Sequence, residues 1–281
     1  MIQWYPGHMK KARDEISNGI RKIDVVIEIL DARLPVSSSN HILDELRANK
    51  PCIKILNKSD LADPEVTKLW VAEIEKTDNM KAMPLVAHDK AVVQTLPQMC
   101  HMLTKGQLKR AVRAMVVGIP NVGKSTLINT LAGRKLAKTG NQPAITRHQQ
   151  KVQIKSGRDG MDISDTPGIL WPNLEDRDGA YRLAASGAIR ETAMDYQDVA
   201  MTIAGYLIEN YTDLLVSRYK LKEAPDKAIA LIEEIGRRRG CLKKGGIVNT
   251  HKASEVFINE LRGGKIGRIS LEKPQTSLQN E

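Results

Sequence analysis

Four short aliphatic runs along the chain each end in a polar loop: IDVVIEILDAR (23–33), PCIKILNKSD (51–60), KAMPLVAHD (81–89) and RAMVVGIP (113–120). Runs this short, apolar at most positions and bounded by turn residues, read as strands buried inside a parallel sheet. Between the first three lie NHILDELRAN and PEVTKLWVAEIEK, with the three- and four-residue spacing of helices covering the sheet. KSTLINTLAG reads as the helix after the fourth run, ending at Gly133. HQQKVQIKSGRDGMDISDTPG carries two alternating runs around a Gly-Arg-Asp-Gly turn and predicts a hairpin. Strands alternating with helices predict an α/β domain with a mainly parallel sheet.

Past about residue 175 the period changes. DVAMTIAGYLIENYTDLLVSRY and PDKAIALIEEIGRRRG carry apolar residues at helical spacing only. THKASEVFINELRGG (250–264) puts Ala253, Val256, Phe257 and Leu261 on one stripe, with Thr250 as the expected N-cap. The expected organisation is therefore an α/β domain over residues 1–175 and a small all-helical domain over 176–281.

Composition narrows the class. No run approaches the roughly 18 apolar residues of a membrane span, and MIQWYPGHMKKARDEI has neither a secretory apolar core nor the acid-poor character of a transit peptide. Cys52, Cys100 and Cys241 are far apart without metal spacing and read as buried, reduced thiols of a cytoplasmic protein. The net charge is +10. No Asp or Glu occurs between Asp89 and Asp159, a stretch with thirteen Lys and Arg, and residues 237–268 carry nine against Glu255 and Glu260. Residues 176–236 are instead net −4. Basic surfaces on both parts of the chain point to a polyanionic partner, nucleic acid being the usual one.

Gly118-Ile-Pro-Asn-Val-Gly123-Lys124-Ser125 fits G-x-x-x-x-G-K-[ST], in the strand–loop–helix setting that motif requires. Its N–H groups, with Asn121, Val122, Gly123, Lys124, Ser125 and Thr126, would cradle phosphates. Lys124 would bridge the β/γ oxygens, and the Ser125 hydroxyl would bind Mg²⁺. Asp165-Thr-Pro-Gly168 follows, with Asp165 expected at Mg²⁺ and the Gly168 N–H at the γ-phosphate; Thr146 supplies a second hydroxyl for the metal. Asn57-Lys58-Ser59-Asp60 ends a strand, where ligands bind in such sheets. Asp60 would accept N1–H and the 2-amino group of guanine, and a buried carboxylate there would reject adenine. Asn57 would support the O6/N7 edge and tether the loops, with the Ala87 N–H facing O6.

These are the parts of a GTP site, with the base loop ahead of the phosphate loop. A closed set of strands can be cut and rejoined elsewhere with the site intact, so the expected domain is circularly permuted. The order NKSD, GIPNVGKST, Thr146, DTPG resembles the circularly permuted GTPases of the YlqF/YawG family. WYPGHMKKA, DARLPVSSSN and GGKIGRISLE are similar to its ribosome biogenesis GTPase A branch, over essentially the whole chain. That resemblance implies a GTPase that binds the maturing large ribosomal subunit and rRNA in late assembly, with an RNA-contacting helical domain. A monomer is the expectation for a factor that docks on so large a particle.

Ile169 stands where many GTPases carry the water-orienting Gln. His8 is a candidate substitute, favoured also by the resemblance, with a structural or rRNA-contacting histidine as the alternative. Asn121 is a candidate K⁺ ligand. Two rival functions stay open on residues alone: a nucleotide-gated RNA-binding protein with little or no hydrolysis, and a P-loop phosphotransferase or ATPase, against which NKSD argues.

Overall fold

The computed structural model describes residues 16–47, 49–104, 108, 110–135, 150–154, 160–165, 176–189, 195–223 and 225–275. These divide between two compact units, one drawn from Trp4–Trp171 with Glu272–Glu281, the other from Pro172–Leu271.

The first unit is built on a six-stranded sheet. Its strands are β1 (Val25–Asp31), β2 (Cys52–Asn57), β3 (Met80–Leu85), β4 (Val112–Gly118), β5 (Gln150–Ile154) and β6 (Met161–Asp165). They lie in the order β3-β2-β1-β4-β6-β5, all parallel except β5, which forms the expected hairpin with β6. Every residue of β1 and β2 is buried, as their mostly apolar character leads one to expect. Within them Glu28 and Lys54 sit opposite each other in the β1–β2 register and form an ion pair of 3.1 Å, while the polar Asp31 and Asn57 end the two strands. Pro84 lies in β3, at the sheet edge, where a missing N–H breaks no ladder.

The connections are helical. Helices α1 (Pro35–Ser38) and α2 (His41–Arg47) follow β1, and α3 (Pro64–Glu75) follows β2. Asp63 caps α3, its carboxylate accepting from the N–H groups of Glu65 and Val66, and Trp70 buries the helix against Leu30, Leu56 and Ala62. Helices α4 (Lys90–Val93) and α5 (Leu96–Leu103) return the chain from β3 to β4, and α6 (Lys124–Ala132) follows β4. It ends at Gly133 (φ 65°), as read from the sequence.

The second unit is helical: α7 (Arg177–Ser186), α8 (Tyr196–Asn210), α9 (Thr212–Tyr219), α10 (Ala228–Arg238) and α11 (Thr250–Arg262). Ala253, Phe257 and Leu261 of α11 are buried, with Val199, Ile203 and Leu207 of α8 and Leu231, Ile232 and Ile235 of α10. The expected cap of α11 shifts by one residue. Asn249, not Thr250, accepts the Lys252 N–H (3.2 Å), and the Thr250 hydroxyl instead accepts a bond from Gln197 Nε2. The Arg262 guanidinium donates to the carbonyls of Ala184 and Ala185, the open C-terminal end of α7. All three cysteines are buried as free thiols. Burial pushes the Cys52 and Cys100 thiols up to about 12. Among the described residues no helix is long and apolar enough to cross a membrane.

Part of the basic excess is spent within the fold. Arg110 and Arg113 share Asp24. Arg237 and Arg238 pair with Glu233 and Glu234, and Arg239 with Glu260. Lys243 and Lys244 lie exposed in the segment that the Leu242–Val248 bridge closes.

Candidate functional site

Strands β1 to β3 run outward on one side of the sheet, β4, β6 and β5 on the other. The direction reverses between β1 and β4, the position where open α/β sheets bind ligands at the carboxyl ends of their strands. Asp31, Asn57, Gly118 and Asp165 close the four central strands.

The loop after β4 needs its glycines for different reasons. Gly118 lies against β1, and a Cβ there would sit 2.8 Å from the Ile29 carbonyl and 3.0 Å from Val122 Cγ1. Gly123 takes φ 105°, and a Cβ there would collide with Asn57 Nδ2. Asn121 also adopts positive φ (58°). The first α-helical bond of α6 that Gly123 accepts comes from Leu127 (2.9 Å), and no side chain caps the helix. Its first-turn N–H groups therefore point out of the helix end, a ready site for anionic oxygens. Lys124, the first helical residue, is buried.

Asn57 joins this loop to the base-side loops. Its Nδ2 donates to the Val122 carbonyl (2.6 Å), and its Oδ1 accepts the Ala87 N–H (2.8 Å). Asn57, Val122 and Ala87 are 3%, 1% and 4% exposed. Three segments far apart in sequence thus meet at one amide. The Ala87 N–H expected to face a base oxygen is committed to Asn57, because the turn after β3 aims it at the side chain. Ser59 N–H donates to the Leu85 carbonyl (3.3 Å), a second tie between the same two loops. Asp60 is exposed, not buried as its proposed role against adenine assumed.

Asp31 and Arg33 were not singled out by the sequence reading, and both are 1–2% exposed. Arg33 Nε and Nη2 donate to the two Asp31 carboxylate oxygens (2.9 and 2.8 Å), and Lys58 Nζ donates to Oδ2 (2.8 Å). Burial alone would raise the Asp31 carboxyl, but the two cations hold it well below the usual carboxylate range. Asp31 at the end of a mostly apolar strand, with Arg33 two residues on, was the available signal.

The donor set suits a hard divalent cation. Register pairs Val116 with Asp165, so Asp165 ends beside the strand that leads into the phosphate loop, with Ser125 in the first turn of α6. Of Asp165 only the backbone is described; His8, Thr146, Gly168 and Ile169 lie outside the described residues.

A family model described as 50S ribosome-binding GTPase matches residues 113–233. The match begins in β4, just ahead of the phosphate loop, and leaves Asn57–Asp60 outside it. A protein named Ribosome biogenesis GTPase A from Bacillus cereus is 44% identical over 98% of this chain and 95% of its own length. Its namesake from Bacillus licheniformis is 45% identical over 98% and 99%. The crystal structure of GNP-bound YlqF from T. maritima superimposes with a TM-score of 0.64 at 29% identity, covering 94% of this chain and 99% of that one.

Proposed function

The chain belongs to the ribosome biogenesis GTPase A family, and from that premise we propose that it binds the maturing large (50S) ribosomal subunit, acts late in its assembly, and hydrolyses GTP to GDP and phosphate faster when bound there. The observation that carries the reading is the Asn57 amide. It locks a guanine-type loop onto a phosphate loop despite their reversed order in the chain.

Asp60 accepts N1–H and the 2-amino group of guanine, beside Lys58 and Ser59, and becomes covered when the base arrives. The N–H groups of Val122 to Thr126 hold the phosphates, with the Lys124 ammonium between the β and γ positions. Ser125, Thr146 and Asp165 would hold Mg²⁺, which supplies charge compensation across the β- and γ-phosphate oxygens. Gly168 N–H contacts the γ-phosphate. His8 orients the attacking water in place of the side chain that Ile169 lacks, and Asn121 would hold K⁺. The sheet unit acts as the GTPase domain and the helical unit as the rRNA-contacting one, where exposed Lys243 and Lys244 are suited to phosphates; the sequence bounds of 1–175 and 176–281 approximate the two units except for the tail from Glu272. The protein works in the cytoplasm as a monomer.

The second reading, a nucleotide-gated RNA-binding protein with little hydrolysis, is favoured by Ile169. GTP hydrolysis in K⁺ buffer, with and without purified large subunits, separates the two. Strong stimulation by subunits, with Asp60→Asn losing guanine preference, supports the ribosome-activated GTPase. Tight guanine binding without stimulation supports the gated binder.

A further inference from the structure

Lys58 sits at positive φ (59°), a backbone conformation that a side chain with a Cβ adopts only under constraint. The turn it opens, closed by Leu61 N–H to the Lys58 carbonyl (2.9 Å), sets where Asp60 projects from the end of β2. The constraint comes from β1. Its last residue, Asp31, stands opposite Asn57 in the parallel register, and its carboxylate takes the Lys58 ammonium at 2.8 Å. The rest of that carboxylate is filled by Arg33, in a two-pronged pair. Asp31 is itself fixed: its N–H donates to Ser38 Oγ (3.0 Å), which donates to the Leu34 carbonyl (2.7 Å).

The charges matter as much as the tether. Arg33 feels the negative charge of Asp60 as well as that of Asp31. Two cations, Arg33 and Lys58, are thus held by one buried anion while a second anion stands near them, exposed at the mouth of the site. If Asp31 lost its charge, Asp60 would remain as an anion that attracts Arg33. A carboxylate paired to Arg or Lys is a poor acceptor for a ligand that needs both of its oxygens.

We propose that Asp31 is a positioning residue for guanine recognition, holding Lys58 and Arg33 so that the Asp60 carboxylate stays placed and free to accept both donors of the base. The proposal rests on the reading of Asp60 as the guanine acceptor.

The test is calorimetric titration of GDP and IDP into the purified full-length protein; IDP lacks only the 2-amino group that distinguishes a two-donor contact. A hydrogen bond to a charged partner makes GDP the tighter ligand by about tenfold or more in the parent protein. Asp31→Asn is expected to weaken both ligands, GDP by more than IDP, which has only its N1–H contact with Asp60 to lose, shrinking the GDP/IDP ratio to within about threefold. Equal weakening of both ligands, or an unchanged ratio, overturns the proposal. Asp60→Asn is measured alongside. If Asp60→Asn leaves the ratio intact, the guanine-acceptor reading itself is wrong and the proposal goes with it. If Asp60→Asn collapses the ratio and Asp31→Asn does not, the positioning role alone is wrong. Should Asp31→Asn fail to fold, Lys58→Met decides the matter, because it leaves the Asp31–Arg33 pair whole and removes only the tether. A shrunken ratio supports the proposal, and equal loss for both nucleotides, which share every other contact, overturns it.

Discussion

Asn57→Ala should unfold the site before any nucleotide is added. The side chain is 3% exposed and makes two bonds, to the Val122 carbonyl and from the Ala87 N–H, both on nearly buried residues. Truncation leaves one acceptor and one donor unpaired. Each such group costs about 1–3 kcal/mol, so the sum is about 2–6 kcal/mol, and partial relaxation of two loops should bring it near 3 kcal/mol. Urea unfolding of the nucleotide-free protein, followed by far-UV circular dichroism, reads this as a lower midpoint at unchanged slope. In a thermal melt of a unit this size it is a fall of about 6–12 °C. Asn57→Asp is the sharper control: it keeps an acceptor for Ala87 but turns an oxygen toward the Val122 carbonyl, so it should cost at least as much. GDP should also stabilise either variant less than the parent, since the phosphate and base loops no longer arrive preassembled. A loss below about 1 kcal/mol in Asn57→Ala, with GDP stabilisation intact, would refute the argument that this amide joins the loops.

Three further outcomes follow from other parts of the molecule. Gly123→Ala places a Cβ against Asn57 Nδ2 at φ 105°, so GDP affinity should fall by more than about tenfold, and a variant titrating like the parent would contradict the geometry. Glu272→Ala removes the carboxylate that accepts the N–H groups of Val36 (2.7 Å) and Ser37 (3.1 Å) and the Ser37 hydroxyl; it should lower the urea midpoint by about 1–2 kcal/mol equivalent, with Glu272→Gln recovering part of it. The depressed carboxyls of Asp31 and Asp24, whose burial is outweighed by Arg33 with Lys58 and by Arg110 with Arg113, contribute stability that is present above about pH 4 and lost as pH falls below it; unfolding free energy measured from pH 6 to 3 should drop in that window, and less steeply in Asp31→Asn.

How much of this could be read from the sequence depended on how local the cause was. The buried strands announced themselves because both faces of β1 and β2 are covered, which leaves no room for alternation. Gly133 was legible as a helix end because positive φ is a property of one residue. Pro84 fits its strand only because β3 is an edge, a fact about its neighbours. The Asp31–Lys58 bond joins residues 27 apart, and the contacts of Glu272 with Val36 and Ser37 reach back across more than 230. Neither leaves a periodic trace. The cap of α11 was missed by one position because Asn249 and Thr250 are both good capping residues, and backbone angles decide between them. The partner of the Ala87 N–H was missed because a loop's curvature aims a backbone donor, and no residue identity records it.

The permutation itself follows from what the site requires. A site built at the carboxyl ends of β2, β4 and β6, where Asn57, Gly118 and Asp165 lie, does not need those strands joined in any one order. Adjacency is supplied by register: Ile29 opposite Gly118, Asp31 opposite Asn57, Val116 opposite Asp165. Here the link from the edge strand β3 back to the central β4 passes through α4 and α5, and that link alone puts the base loop ahead of the phosphate loop. It also has a consequence for a linear family model, whose match starts only at residue 113. The cut moves the segment after β6 from the interior of the domain to its end. In sequence, β6 then precedes the helical unit, while Glu272, after that unit, holds α1 beside Asp31. The helical unit is therefore tied in sequence to both halves of the nucleotide site, the phosphate side at its start and the base side at its end. In the uncut order, with the segment after β6 leading on to β1, no such double attachment would exist.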